Sequence, residues 1–257
     1  MFDITASIIL FNTPEELVLK AINSFLNTKL NVKLYLIDNS PTNKLQCLSE
    51  KDPRIEYYFN NANLGYGAAH NIAIRKSIQI KIKYHVVLNP DIYFDIGVIE
   101  GLMTYMDNNN EVGLVMPKVL YPDGSLQYLC KQEQTPFNLI RRRFLPSWIK
   151  QFFRKKNDLY EFKDRNYNTI MEVPNLSGCF MFMRTKALIE KGMFDERFFM
   201  YCEDADLVKR IGQIYKTVYY PHVQIIHSFN KESYRNIKLL RIHVQSAVKY
   251  FNKWGWV

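Results

Sequence analysis

An α/β protein with a mostly parallel central sheet flanked by helices is what this sequence predicts. Short apolar runs alternate with helical patterns through the first third, a rhythm that implies parallel strands joined by crossover helices. Acidic and polar residues gather where those runs end, the edge at which such sheets bind ligands. Of 257 residues, 47% are hydrophobic and 23% charged, enough for a full core, which excludes a disordered or fibrous chain. The length predicts one main domain over 1–234, carrying an insertion at 131–170, and a helical tail over 235–257.

Ile4 to Phe11 (ITASIILF) reads as a buried strand. Thr13 is placed to cap the next helix, with Pro14 at its first position, where the missing N–H is harmless. Leu17, Ala21, Ile22 and Phe25 share one face of that helix. Lys33 to Asp38 is the second strand, broken by Asn39-Ser40-Pro41, and Arg54 to Phe59 is the third. A loop from Asn60 to Gly65 enters a helix through Ile74, and Tyr84 to Leu88 forms a strand ending on Asn89-Pro90-Asp91. Val112 to Pro117 is another strand, and Tyr121 to Ser125 a turn between short strands. Ser177 to Met183 returns to the core. Glu203 to Ile211 is helical, with carboxylates in the first turn where the helix dipole favours them. Lys216 to Tyr220 and Val223 to His227 read as two strands, and Asn236 to Trp254 as a closing helix.

Lys and Arg exceed Asp and Glu by 34 to 25, and the resulting charge of +9 points to an anionic partner. Cys47, Cys130, Cys179 and Cys202 form no C-x-x-C pair, so a zinc knuckle or dithiol site is not indicated; buried thiols in a reducing compartment are expected. The start lacks a signal-peptide pattern, and no apolar run reaches the ~18 residues that span a bilayer, so an intracellular protein is expected.

Four polar clusters sit at element ends: Asp38-Asn39-Ser40, Asn89-Pro90-Asp91, Glu203-Asp204-Ala205-Asp206, and His227. Singly, each has an ordinary structural reading as a turn former, a dipole partner or a core histidine. Their order and company are more specific. The series runs from Phe11-Asn12 through LIDNS (36–40), NLGYGAAHN (63–71), LNPD (88–91), SGCFMFMR (177–184) and GMFDERFFMYCEDADL (192–207) to Ile226-His227. In this order it resembles glycosyltransferase family 2, the inverting GT-A glycosyltransferases, most closely the bacterial rhamnosyltransferase-like branch. Nearly the whole chain takes part.

The resemblance implies a GT-A nucleotide-diphospho-sugar transferase fold and a divalent metal, Mn2+ or Mg2+, to neutralise the leaving diphosphate. It makes Asp91 the metal ligand of a motif whose first position here is Asn89, and His227 a second ligand that would favour manganese. It assigns Asp38 to the nucleobase, and Asn12, Asn63, Gly65, Asn71 and Asn89 to the nucleotide-sugar, with Gly65 and Gly67 allowing close backbone approach. Asp204 becomes the base that deprotonates the acceptor hydroxyl, with Glu203 orienting the acceptor, and Asp206 left to point elsewhere. The donor implied is dTDP-L-rhamnose first and a UDP-sugar second. The acceptor is an undecaprenyl-diphosphate-linked glycan of O-antigen or capsule synthesis.

Arg141 to Lys156 holds seven basic residues and no acidic one, with apolar residues at 144, 145, 148, 149, 152 and 153 in a helical stripe. That pattern suits a helix lying on an anionic bilayer; a surface helix packing its stripe on the sheet is the other reading. The membrane reading agrees with a lipid-linked acceptor and predicts a cytoplasmic enzyme bound to the inner face of the membrane. Nucleic acid is not expected, since no recognised module accompanies the charge. A dinucleotide-binding loop is disfavoured because His70 stands where the third glycine would be. A sugar nucleotidyltransferase would need a Gly-rich basic loop near the start, and Phe11 to Glu16 is neither. A non-catalytic basic binder would have no use for Asp91 and Asp204.

Overall fold

The computed structural model describes residues 2–143, 151–228 and 237–256, the side chains of 140–143 aside. Its strands are β1 (Ile4–Leu10), β2 (Val32–Asp38), β3 (Ile55–Phe59), β4 (Tyr84–Leu88), β5 (Ile92–Tyr93), β6 (Val112–Leu120), β7 (Met171–Glu172), β8 (Phe180–Arg184) and β9 (Lys216–His227). Among the described residues they form one sheet in the order β3-β2-β1-β4-β8-β6-β9-β5, with β7 beside β9. The first four strands are parallel, as their alternation with helices requires. The second half is mixed: β8 runs antiparallel to both β4 and β6, while β6 and β9 are parallel.

All seven residues of β1 are buried, because helices cover both faces of the sheet. Side chains alternate along the strand, so Ile4, Ala6, Ile8 and Leu10 enter the main core with Val18, Ala21, Ile22 and Phe25 of helix Glu15–Leu26. On the other face Ile9, Tyr35 and Ile37 meet Ala69 and Ala73 of helix Tyr66–Gln79. Each fully buried large side chain of this kind stabilises the fold by about 2 kcal/mol. Thr5 and Ser7 share that second face and bond to His85 and His70, with Ser77 closing the cluster. Burial pushes His85 down to about 3, so the network works with a neutral ring.

Several local expectations change. Helix Glu15–Leu26 starts after Pro14 and has no side-chain cap; the Thr13 hydroxyl instead accepts the Phe11 N–H at 3.1 Å. The two strands expected over 216–227 are one, β9, whose register against β6 jumps from Pro117↔Tyr220 to Lys118↔Gln224. The extra residues include Pro221, which has no N–H to give a ladder. Helices Val98–Asn108 and Thr185–Lys191 were not anticipated. Three of the four cysteines are buried, but Cys47 is exposed. No helix of the described residues is long and apolar enough to cross a membrane.

In the basic stretch, positions 144, 145, 148 and 149 of the apolar stripe lie outside the described residues. Of the rest, Phe152 is 83% exposed and Phe153 stands 6.1 Å from Phe137, ring to ring. Helix Ile237–Trp254 packs Ala247, Tyr250 and Phe251 onto Phe198, Cys202 and Ala205. Its Trp254 Nε1 donates to Asp206 Oδ1 at 2.8 Å, Lys253 Nζ pairs with the same oxygen at 2.6 Å, and Ser246 Oγ donates to the Met200 carbonyl at 2.8 Å. The closing helix therefore straps the segment that carries Glu203 and Asp204.

Candidate active site

The sequence-derived site residues lie beyond the carboxyl ends of the parallel strands, and they divide into two groups. The first holds one side of the cleft in shape. Asp38 ends β2 at 1% exposure, its Oδ1 accepting the Ser40 N–H at 2.8 Å and its Oδ2 the Tyr57 hydroxyl at 2.5 Å. Asn12 follows β1 in the left-handed region, φ 51°, with its N–H on Ser40 Oγ at 2.9 Å. Asn39 links the loops: it takes a bond from Asn60 at 2.8 Å and reaches the Gly65 carbonyl at 3.3 Å, while Asn63 Oδ1 accepts the Gly65 N–H at 3.0 Å.

Gly65 is needed twice over. Its φ is +87°, and a Cβ there would lie 2.2 Å from the Phe199 carbonyl oxygen. The close approach is thus to the chain's own 194–199 segment, and Gly67 does the same against Phe194. Gly65→Ala is expected to destabilise the protein by at least about 2 kcal/mol, read as a lowered denaturation midpoint. Asn71 belongs to the same interlock. It is 1% exposed, its Oδ1 accepts the Phe194 N–H at 3.0 Å, and its Nδ2 donates to the Phe194 carbonyl and Glu196, both at 2.9 Å. Both amide hydrogens and one lone pair of the oxygen are thus engaged within the protein.

The second group holds the candidates for chemistry. β5, only two residues long, pairs Ile92 with His227, and the Ser228 N–H bonds the Asp91 carbonyl at 2.9 Å. This register sets His227 Nε2 3.3 Å from Asp91 Oδ1. Gln127 Nε2 donates to the His227 carbonyl at 2.8 Å, which leaves Gln127 Oε1 to accept from His227 Nδ1 at 3.0 Å. With Nδ1 held by Gln127, Nε2 is the ring nitrogen that faces the Asp91 carboxylate. A carboxylate oxygen and an imidazole nitrogen, the latter oriented by an outer amide, are donors that a divalent cation can use. Among the described residues no cluster of three or more His, Cys, Asp or Glu is placed to hold a metal ion.

Glu203 and Asp204 open helix Glu203–Ile211 directly after Tyr201 and Cys202, both in the left-handed region at φ 69° and 66°. Two such residues in succession store strain, and the closing helix holds them there. Asp204 Oδ2 accepts the Gly178 N–H at 2.9 Å and its Oδ1 the Ala205 N–H at 2.8 Å. Gly178 in turn offers its carbonyl to the Tyr66 hydroxyl at 2.7 Å, which also lies 3.1 Å from Asn89 Oδ1. The Asn89–Asp91 turn and the Asp204 carboxylate are thus brought together by Tyr66 and Gly178. Asp206 faces away, fully buried against Arg210, Lys253 and Trp254.

Glu203 is 5% exposed and its Oε2 has no hydrogen-bond partner. Burial first, and the neighbouring Asp204 charge second, push its carboxyl well above the usual range. The native state then holds a proton that the unfolded chain releases, so stability falls as pH rises from the ordinary carboxylate range towards that raised value. Glu203→Gln, which imitates the neutral acid, is expected to flatten the decline, read as urea midpoints compared at pH 5 and pH 8. Beside Glu203 and Asp204 opens a cavity of ≈ 230 Å³ edged by Lys131, Gln134, Asn138, Tyr201 and His243. Tyr66, Gly178, Gln127 and His243 were not singled out from the sequence. The first two stand inside quoted motifs, whereas Gln127 and His243 carry no local signal.

The family model for glycosyl transferase family 2 matches residues 5–191. The match stops short of Glu203, Asp204 and His227. The chain is similar to N-acetylglucosaminyl-diphospho-decaprenol L-rhamnosyltransferase of Mycobacterium tuberculosis, 28% identical over 218 residues, covering 79% of this chain and 68% of that protein. It is also similar to rhamnosyltransferase WbbL of Escherichia coli K12, 24% identical over 254 residues, covering 95% of this chain and 90% of the relative. Among solved structures it resembles GalNAc-T7 crystallised with UDP, GalNAc and Mn2+, at a TM-score of 0.67 and 12% identity over 91% of this chain. This chain spans 44% of that one, and at such identity the likeness speaks for the fold, a GT-A glycosyltransferase fold, alone.

Proposed function

The chain belongs to glycosyltransferase family 2 and is a glycosyltransferase, and on that premise we propose that it moves L-rhamnose from dTDP-L-rhamnose, with inversion, to a hydroxyl of a polyprenyl-diphosphate-linked glycan. A UDP-sugar is the second choice of donor. An N-acetylglucosaminyl-diphospholipid is the first choice of acceptor, by likeness to the mycobacterial relative. The pathway would be bacterial O-antigen or capsule synthesis at the inner face of the membrane. The basic stretch 141–156 supports that placement through its attraction to anionic lipid.

The observation that carries the reading is that the Tyr66 hydroxyl, 3.1 Å from Asn89 Oδ1, donates to the Gly178 carbonyl while the Gly178 N–H holds Asp204, which sets the proposed diphosphate side of the cleft beside the acceptor side. Asp91 and His227 would hold a divalent cation whose charge offsets that developing on the leaving diphosphate. Asp204, fixed by two backbone N–H groups, takes the proton from the acceptor hydroxyl. The acceptor oxygen bonds to the anomeric carbon as that carbon's bond to the diphosphate oxygen breaks, and nucleoside diphosphate leaves. Calorimetric titration of dTDP, UDP and NAD, each with and without Mn2+, tests the nucleotide side. Binding of dTDP strengthened by Mn2+ is expected; binding of NAD alone would overturn the reading.

A further inference from the structure

We propose that the groove between the closing helix and residues 195–198 is a binding site for a phosphate group, held by Arg197, Lys249 and Asn252. The proposal stands apart from the transferase reading, for this cavity shares no lining residue with the one beside Asp204. Its volume is ≈ 430 Å³, and Arg197, Phe198, Lys249, Asn252 and Lys253 line it. The first argument is charge. Arg197, Lys249 and Lys253 edge the cavity, and the carboxylates that pair with this group are Asp195 and Asp206, the second of which also serves Arg210. Arg197 first, and Lys253 after it, hold the Asp195 carboxyl well below the usual range, so the balance persists across ordinary pH. Four cations against two carboxylates leave a surplus that an anion offsets.

The second argument is that the groups left over are donors. Trp256 Nε1 can only donate, so the Asn252 atom it meets at 2.8 Å is Oδ1, and the Asn252 NH2 is left for a ligand. Arg197 places Nε and Nη2 on Asp195 at 2.9 and 2.6 Å, and among the described residues its Nη1 meets no acceptor. Lys249 Nζ gives one N–H to the Arg197 carbonyl at 2.6 Å and keeps two. A guanidinium, an ammonium and an amide NH2 around one cavity suit phosphate, whose oxygens accept from all three. Phe198 and the lysine stems complete the wall with apolar surface, which leaves room for the group the phosphate is esterified to. A phospholipid headgroup and a soluble phosphate ester share this chemistry. Val244 and Val248, exposed in the same i, i+4 row as Asn252, suit the first of them. Either would tie Arg197 to Lys249 and Asn252, and so tighten the strap that holds Tyr201 and Cys202.

The test is the thermal midpoint of the full chain titrated with inorganic phosphate and with glycerol 3-phosphate, against sodium chloride of equal ionic strength. A rise beyond that in chloride is expected. Lys249→Gln is expected to raise the half-saturating phosphate concentration about tenfold. Asn252→Asp, which keeps the Trp256 bond and sets a negative charge in the cavity, is expected to do at least as much. Lys186→Gln, an equal loss of charge on helix Thr185–Lys191, leaves it unchanged. Midpoints in chloride alone show whether each variant folds, and either cavity variant suffices. Flotation of the same four proteins with phosphatidylglycerol and phosphatidylcholine vesicles distinguishes the sources. Weaker flotation of the cavity variants with phosphatidylglycerol makes the phosphate a lipid's, whereas equal flotation with a midpoint shift that depends on Lys249 makes it a soluble ester's. Midpoint shifts and flotation that are both the same in the wild type and the cavity variants, or lost equally in Lys186→Gln, would sink the proposal.

Discussion

Asp204→Asn is expected to lower the transfer rate by about 10²–10⁴-fold, the usual contribution of a positioned general base, while nucleotide and metal binding persist. The amide keeps the shape of the carboxylate but has one acceptor oxygen where two backbone N–H groups, of Gly178 and Ala205, now find one each. One of those bonds is lost, at a cost to stability of about 1 kcal/mol. Asp206→Asn, two positions on, separates chemistry from architecture. Its carboxylate is fully buried among Arg210, Lys253 and Trp254, so the amide weakens a charged cluster and lowers the denaturation midpoint more than Asp204→Asn does. The rate per folded molecule is expected to stay near that of the wild type. If Asp204→Asn transferred at full rate and Asp206→Asn did not, the roles given to the two carboxylates would have to be exchanged.

The contrast between these carboxylates also marks what the sequence could convey. That Glu203 to Asp206 opens a helix is local information, carried by carboxylates preceding an apolar stripe. Which carboxylate faces the cleft depends on Trp254 and Lys253, which arrive from the closing helix, and on Gly178, which lets Asp204 approach because it has no Cβ. Strands β1 to β4 were legible because each is a run of apolar residues followed by a polar stop, and the parallel order follows from the helices between them. Two-residue strands such as β5 leave no periodic trace, yet β5 is what brings Asp91 to His227. Asn71 is the converse case. Its place in a recognisable motif suggested contact with the nucleotide, and nothing local announced that its amide also bonds Phe194 and Glu196. A motif fixes which residue stands at a position. The partner across the fold fixes what its side chain does.

Asp91→Ala is expected to reduce transfer by about a thousandfold, since several kcal/mol of charge stabilisation at the leaving diphosphate would go with the metal. The neighbours of Asp91 predict a graded series. His227 sits 3.3 Å from Asp91 Oδ1, so His227→Ala removes the second candidate ligand and is expected to raise the Mn2+ concentration needed for half-maximal rate. Gln127 touches no metal in this scheme; it holds His227 Nδ1 and so aims Nε2. Gln127→Leu is therefore expected to cost about 10–100-fold in metal affinity, the range typical of a residue that orients a ligand, with the rate at saturating Mn2+ largely restored. Restoration by excess metal separates a positioning residue from a ligand, because Asp91→Ala should not recover at any concentration. Titrating Mn2+ against the metal-stripped wild type and the three variants reads the whole series at once. Equal metal dependence in all four proteins would show that the cation, if one is used, is held elsewhere.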